Sequence, residues 1–200
     1  MERFQTLTAI AAPFPRRNVD TDFIIRVERC TGTPREEIGR YAFEMARFLP
    51  GGAENPDFVL NQPRYRGAKI LVCGEFFGTG SSREAAVWAL AGMGIRCLIA
   101  PSFGQIFFVN CFQNCVLPVT LPAATVDALM REAQAPEPKP FTVDLADQRI
   151  NGSIPFEIAP RRKRMLLEGL DEIDLTLAMD ERIAAFQAAD RVRRPWVYPP

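Results

Sequence analysis

Two hundred residues, 48% of them apolar, with 24 basic against 24 acidic side chains, suit one domain with a sizeable core. The zero net charge argues against bulk attraction to nucleic acid or to a membrane surface. The absence of histidine removes Ser-His-Asp and Cys-His catalysis, histidine-ligated zinc and a histidine general base from this polypeptide.

Phe4 to Ala12 alternates and then meets Pro13 and Pro15, predicting a first strand that ends in a turn. Asn18-Val19-Asp20-Thr21-Asp22 reads either as an Asx-type turn before a strand at Phe23, Ile24 and Ile25 or as a polar knot facing a ligand. Residues 36–49 place Ile38, Tyr41, Ala42, Met45 and Phe48 on one helical stripe, and residues 51–56 read as an exposed loop. Strands at 70–73, 95–100 and 116–121 alternate with helices at 81–91 and 103–112. That order predicts a parallel βαβαβ unit with right-handed crossovers, with its ligand site at the carboxyl ends of the strands. A surface helix at 124–133, a linker-like turn at 135–140 and a strand at 141–145 follow. Asn151-Gly152 then marks a hairpin, residues 161–168 a helix stopped by Gly169, and residues 180–189 a last helix. The basic run Arg161, Arg162, Lys163, Arg164 reads as a solvated helix face. A single domain over 1–200 is expected, with 141–200 as an appendage.

The five cysteines, Cys30, Cys73, Cys97, Cys111 and Cys115, show no C-x-x-C spacing. Cys111 and Cys115 share a helical face, but two thiolates do not hold an iron–sulfur cluster, so no metal is assigned to this chain. The opening MERFQTLTAI lacks the basic start and long apolar core of a secretory signal, and reduced thiols in a cytoplasmic setting are expected. Residues 97–126 carry no charge, yet Pro101, Gln105, Asn110, Asn114, Pro118 and Pro122 interrupt them, which predicts buried core and not a membrane span.

The stretch KILVCGEFFGTGSSREAAVWALA concentrates the chemistry. Gly74, Gly78 and Gly80 let the backbone bend through positive φ and let a ligand approach, and the helix start beyond them favours an anion. Ser81 and Glu84 fit an S-x-x-E capping box, and capping alone is the plainer explanation of that spacing. Two adjacent hydroxyls and Arg83, able to grip a carboxylate through both arms of its fork, point to a site instead. A phosphate- or nucleotide-binding module would use the same helix start, but the Gly-Lys pair and the last glycine of a G-x-G-x-x-G fingerprint are missing. A non-catalytic interaction or RNA-binding role has one basic cluster to rest on.

GTGSSREAAVWAL, with NVDTDFII before it and APSFGQIFFVNC and VLPV after it, resembles the small subunits of 3-isopropylmalate dehydratase, the swivelling domain of the aconitase superfamily. The similarity runs from about Phe4 to about Trp196, with the blocks in the family's order. It implies an α/β fold, a swivelling β/β/α three-layer domain, acting with a large subunit that carries a 4Fe-4S cluster as Lewis acid. The implied reaction is dehydration and rehydration of a small hydroxy-dicarboxylate, converting 2-isopropylmalate to 3-isopropylmalate in leucine biosynthesis. The resemblance makes Ser81 the catalytic base and Arg83 the carboxylate-binding residue, with Ser82 in support and Asp20, Thr21 and Asp22 beside the substrate. An apolar or arginine-bearing cleft beside Ser81 is expected. Family members carry His where this chain has Ala85 and Pro where it has Arg26. These departures allow a methylated malate or citraconate-type acid as alternative substrate, with Arg26 as the specificity residue.

Overall fold

The computed structural model describes residues 2–198 and divides the chain into two compact units, Met1–Gly169 and Leu170–Pro200. The predicted first strand is two strands, β1 (Thr6–Ala9) and β2 (Ala11–Phe14), which leave Ile10 for different sheets. Pro13 is tolerated because β2 is the edge strand of its sheet, where a missing N–H costs little pairing. Where a strand was expected at 23–25, Asp20 starts a short helix, α1 (Thr21–Ile24), with the Phe23 N–H donating to Asp20 Oδ1 at 2.7 Å. A second short helix, α2 (Val27–Cys30), follows.

The helix expected over 36–49 is broken into a 3-10 turn at Ile38–Tyr41 and α3 (Glu44–Arg47), with Phe43 between them at φ 55°. Tertiary packing overrides the periodicity here. Phe43 is fully buried against the rings of Phe14, Phe23 and Phe58, and its N–H donates to the Ile24 carbonyl at 2.8 Å. Gly39 lies so close to Gly92 that a Cβ there would sit 2.2 Å from the Gly92 carbonyl carbon. Met45, assigned to the apolar stripe, is exposed. Residues 51–54 are exposed, as expected of that loop.

The parallel unit is present as predicted: β3 (Ile70–Cys73), α4 (Ala85–Gly92), β4 (Cys97–Ala100), α5 (Gln105–Gln113) and β5 (Leu117–Thr120), in the order β2-β3-β4-β5. Its strands are buried on both faces, which is why they read as continuous apolar runs. Leu71, Cys73, Leu98 and Ala100 pack with Ala86, Ala89 and Leu90 of α4. Ile70, Val72, Cys97 and Ile99 share the other core with Val126, Leu129 and Met130 of α6 (Ala123–Ala133). That core also takes Phe141, Val143 and Ile150 from a second, antiparallel sheet. This sheet runs β1-β6-β7-β8, with β6 (Phe141–Asp144), β7 (Arg149–Ile150) and β8 (Ile154–Pro155). Asn151 and Gly152 turn the expected hairpin at φ 51° and 71°, and α7 (Pro160–Glu168) ends at Gly169 with φ 70°. Because β6 pairs with β1, residues 141–155 belong to the first unit.

The second unit contains α8 (Glu172–Leu177), which the sequence reading missed, and α9 (Asp180–Arg193), longer than predicted. The missed signal was Asp171-x-x-Asp174, whose carboxylates accept each other's backbone N–H groups in a reciprocal cap. Both guanidinium arms of Arg194 pair with Asp190 at 2.7 Å, which also accepts from the Tyr198 hydroxyl.

No helix among the described residues is long and apolar enough to cross a membrane. The uncharged stretch at 97–126 is instead β4, α5, β5 and the start of α6. Cys73 at the end of β3, Cys97 in β4 and Cys111 in α5 are fully buried, and burial pushes their thiols up from the ordinary value. The folded chain keeps these protons where the unfolded chain loses them, so stability is complete below the unfolded thiol value near 8.5 and falls as pH rises above it. Stability should hold to about pH 8 and then fall, by roughly 1 kcal/mol per pH unit for each thiol at most, and the melting midpoint should fall with it. Scanning calorimetry across pH 7–10.5 measures this. A midpoint that stays flat to pH 10.5 would refute it, and Cys97→Ala should make the decline shallower.

Candidate active site

β2 and β3 are parallel neighbours, so the segments leaving their carboxyl ends emerge side by side. Hydrogen bonds zip those segments together. Asn18 N–H donates to Glu75 O at 2.9 Å, Gly78 N–H to Val19 O at 2.7 Å, and Thr21 N–H to Thr79 O at 2.9 Å. The Thr21 hydroxyl, buried, donates to the Ser81 carbonyl at 3.3 Å. Glycine is required at two points of this zip. A Cβ on Gly78, at φ 75°, would lie 2.2 Å from the Phe107 ring, and one on Gly104 would lie 2.2 Å from the Gly78 carbonyl oxygen.

The structure therefore brings the Asp20-Thr21-Asp22 turn against the Ser81-Ser82-Arg83 loop, from positions 60 residues apart. The individual duties differ from one another. Asp20 caps α1, Thr21 holds the loop backbone, and Asp22 Oδ1 lies 2.5 Å from Arg83 Nη1. That last contact has the geometry of an ion pair and not of a hydrogen bond, so Nη1 is buried with no hydrogen-bond partner. The Arg83 side chain is 21% exposed against 55% for Asp22, so the carboxylate is the more solvated member of the pair.

The capping box is not formed. α4 begins at Ala85 with Glu84 at its N-cap and no side-chain cap, which leaves Ser81 three residues outside the helix boundary. Glu84 Oε1 accepts instead from Asn114 Nδ2 at 2.8 Å, and Asn114 Oδ1 accepts from Arg35 Nη2 at 2.5 Å. Tertiary pairing has taken the glutamate away from the local motif. Asn114 and Arg35 carried no sequence signal, since their link to the loop exists only in the folded chain. Ser81 and Ser82 are exposed.

Arg26 lies apart from the loop's hydroxyls. Its Nε and Nη2 donate to the Glu28 carboxylate at 3.2 and 2.8 Å, and Nε stands 3.8 Å from Glu44. It lines a cavity of 610 Å³ with Arg40, Tyr41, Met45, Phe48 and Leu49. An apolar or arginine-bearing cleft was expected beside Ser81, but Ser81 does not line this cavity. Ala85, in place of the histidine of the resemblance, is buried in the core cluster that includes α4. Burial raises the Cys30 thiol despite the nearby Arg83 charge, so it is no ready thiolate. Among the described residues no three His, Cys, Asp or Glu side chains group to hold a metal ion.

Residues 1–124 match the family model of the aconitase C-terminal domain, and residues 172–199 match that of the C-terminal domain of 3-isopropylmalate dehydratase small subunits. The 3-isopropylmalate dehydratase small subunit of Paramagnetospirillum magneticum is 51% identical, over 98% of this chain and 100% of the relative. The chain belongs to the 3-isopropylmalate dehydratase small-subunit family. Another member, from Rhodospirillum centenum, is also 51% identical, over 98% of both chains. The crystal structure of a 3-isopropylmalate dehydratase from Methanocaldococcus jannaschii superposes with a TM-score of 0.63 at 24% identity, covering 91% of this chain and 99% of that one. That likeness supports the fold of the dehydratase small-subunit family, with its parallel sheet and helices, as the resemblance implied.

Proposed function

We propose that this chain is the small subunit of a two-subunit hydro-lyase that interconverts 2-isopropylmalate and 3-isopropylmalate, and that Ser81 and Arg83 are its working residues. The observation that carries the proposal is the exposed Ser81, free of capping, on a loop whose Arg83 already pairs with a carboxylate. Arg83 binds a substrate carboxylate, which offsets the charge that builds up when the adjacent carbon loses its proton. The Ser81 oxygen takes that proton. A serine hydroxyl is a poor base in water, but the guanidinium charge of Arg83, two residues on, favours its anion. Ser82 supports the same substrate. Thr21 holds Ser81 in place through its carbonyl, Asp20 fixes the turn that carries Thr21, and Asp22 holds Arg83 until substrate arrives.

The donor set of this chain does not fit an iron–sulfur cluster. Three of its thiols are fully buried and raised by burial, and its described carboxylates and thiols form no metal-binding group. We assign the 4Fe-4S cluster to the large subunit, and both polypeptides to the cytoplasm. The Arg26 charge is already matched by Glu28 and Glu44, so nothing at that position favours a second alkylmalate substrate.

Reconstitution tests the assignment. Purified anaerobically, the chain alone should contain no stoichiometric iron and show no turnover. Mixed with its large subunit it should convert 2-isopropylmalate. Stoichiometric iron in the single chain, or a reconstituted pair that turns over methylmalates and not isopropylmalate, would contradict it.

A further inference from the structure

Glu84 stands next to Arg83 in the chain but does none of the capping its spacing suggested. Its carboxylate reaches Asn114 at the C-terminal end of α5, and Asn114 is only 7% exposed. Each side of that amide is used. Nδ2 donates to Glu84 Oε1 at 2.8 Å and to the Asn110 carbonyl at 2.9 Å, while Oδ1 accepts from Arg35 Nη2 at 2.5 Å. A buried amide matched on both sides has one favourable orientation, and whatever it holds is fixed with it.

We propose that Arg35, Asn114 and Glu84 form a positioning relay that sets the aim of the Arg83 guanidinium and the Ser81 hydroxyl. The proposal rests on the roles given above to Ser81 and Arg83. α4 has no side-chain cap, so the contact of Glu84 with Asn114 anchors its first turn from outside. The Arg83 carbonyl accepts from Ala86 N–H at 3.2 Å and the Glu84 carbonyl from Val87 N–H at 2.9 Å, so any rotation of Glu84 turns Arg83 with it. Arg35 grips the same helix a second time, its guanidinium 5.0 Å from the centre of the Trp88 ring. The relay thus ties the segment ahead of the 3-10 turn at Ile38–Tyr41, the end of α5 and the start of α4 to one geometry. Displacement of a reacting group by about 1 Å is enough to cost two decades in rate.

A plain structural brace would affect folding and nothing else, and variants of the reconstituted two-subunit enzyme with its cluster intact separate the two cases. Glu84→Gln keeps a carbonyl acceptor and should leave kcat and KM within about twofold of wild type. Glu84→Met keeps the unbranched shape without the acceptor. It should lower kcat roughly 10-fold or more and raise KM for isopropylmalate, because Arg83 loses its aim. If kcat and KM per folded pair are unchanged in Glu84→Met, the relay is wrong.

A second measurement does not involve activity. The chain has two tryptophans, so Trp196→Phe leaves Trp88 as the one tryptophan of the free chain, read by excitation at the red edge where tyrosine does not absorb. Adding Asn114→Leu to that background should shift the Trp88 emission as Arg35 loses its anchor, and an unchanged spectrum would also overturn the relay. Failure of the base assignment looks different. Turnover surviving in Ser81→Ala removes the base, while the KM of Glu84→Met and the Trp88 emission still judge the relay.

Discussion

Ser81→Ala, assayed in the reconstituted pair, should lower kcat by roughly 10²-fold or more with a small change in KM, because proton transfer takes place only in the transition state. Stability should barely move. An N-cap serine would cost about 0.5–2 kcal/mol on replacement, but α4 starts beyond Ser81 and Glu84 stands at its cap. The expected change is therefore that of an ordinary exposed position, within about 0.5 kcal/mol. Arg83→Lys should behave differently: a point charge replaces a planar fork, so KM rises together with a loss of kcat. Thermal melts verify folding, and steady-state kinetics of the folded pair read the rest. Near-normal kcat in Ser81→Ala would remove the residue from the mechanism and leave the loop with a structural part only.

Gly104→Ala should be the most damaging single methyl group near the site. Its φ of −59° suits any residue, so the objection is steric and not conformational. The added Cβ would stand 2.2 Å from the Gly78 carbonyl oxygen and 3.0 Å from Thr79 Cα. Both are backbone atoms, so no side chain can swing aside, and the loop carrying Gly78 to Arg83 must shift. Overpacking of this kind costs about 1–3 kcal/mol. The larger consequence is kinetic, since Gly78 and Thr79 hold the pairing with Val19 and Thr21 that brings the two site segments together. A shift near 1 Å there should lower kcat/KM by about 10²-fold. A Gly104→Ala enzyme with wild-type kcat/KM would show that the loop tolerates displacement.

The parallel unit was legible because its elements are specified locally: four-residue apolar strands, helices between them, and glycines at the turns. The same local logic failed wherever a distant partner decided the outcome. Phe43 breaks an amphipathic pattern because an aromatic cluster from three other segments receives it. Glu84 abandons a well-spaced capping box for Asn114, 30 residues away. Phe23 to Ile25 looks extended by composition, yet the Asp20 cap turns the chain into a helix. At the proposed site, the residue types were readable, and the roles proposed for them come from the family resemblance. The contact of Asp22 with Arg83 and the part of Asn114 became visible only once the chain was folded.

The division of the N-terminal run at Ile10 bears on how the chain acquires its structure during synthesis. β1 pairs with β6, Thr6 opposite Asp144, so during synthesis β1 has no partner until well over a hundred further residues have been made. β2 waits a shorter time, for β3 at Ile70. A strand left unpaired that long is a template for association with other chains. β1 is poorly suited to be one. It is four residues long, and Thr6 and Thr8 alternate with the half-buried Leu7 and Ala9, so one of its faces stays polar throughout the wait. The antiparallel sheet is thus a late closure of high contact order on a parallel core assembled from nearer neighbours, and the threonines keep its starting strand soluble until then.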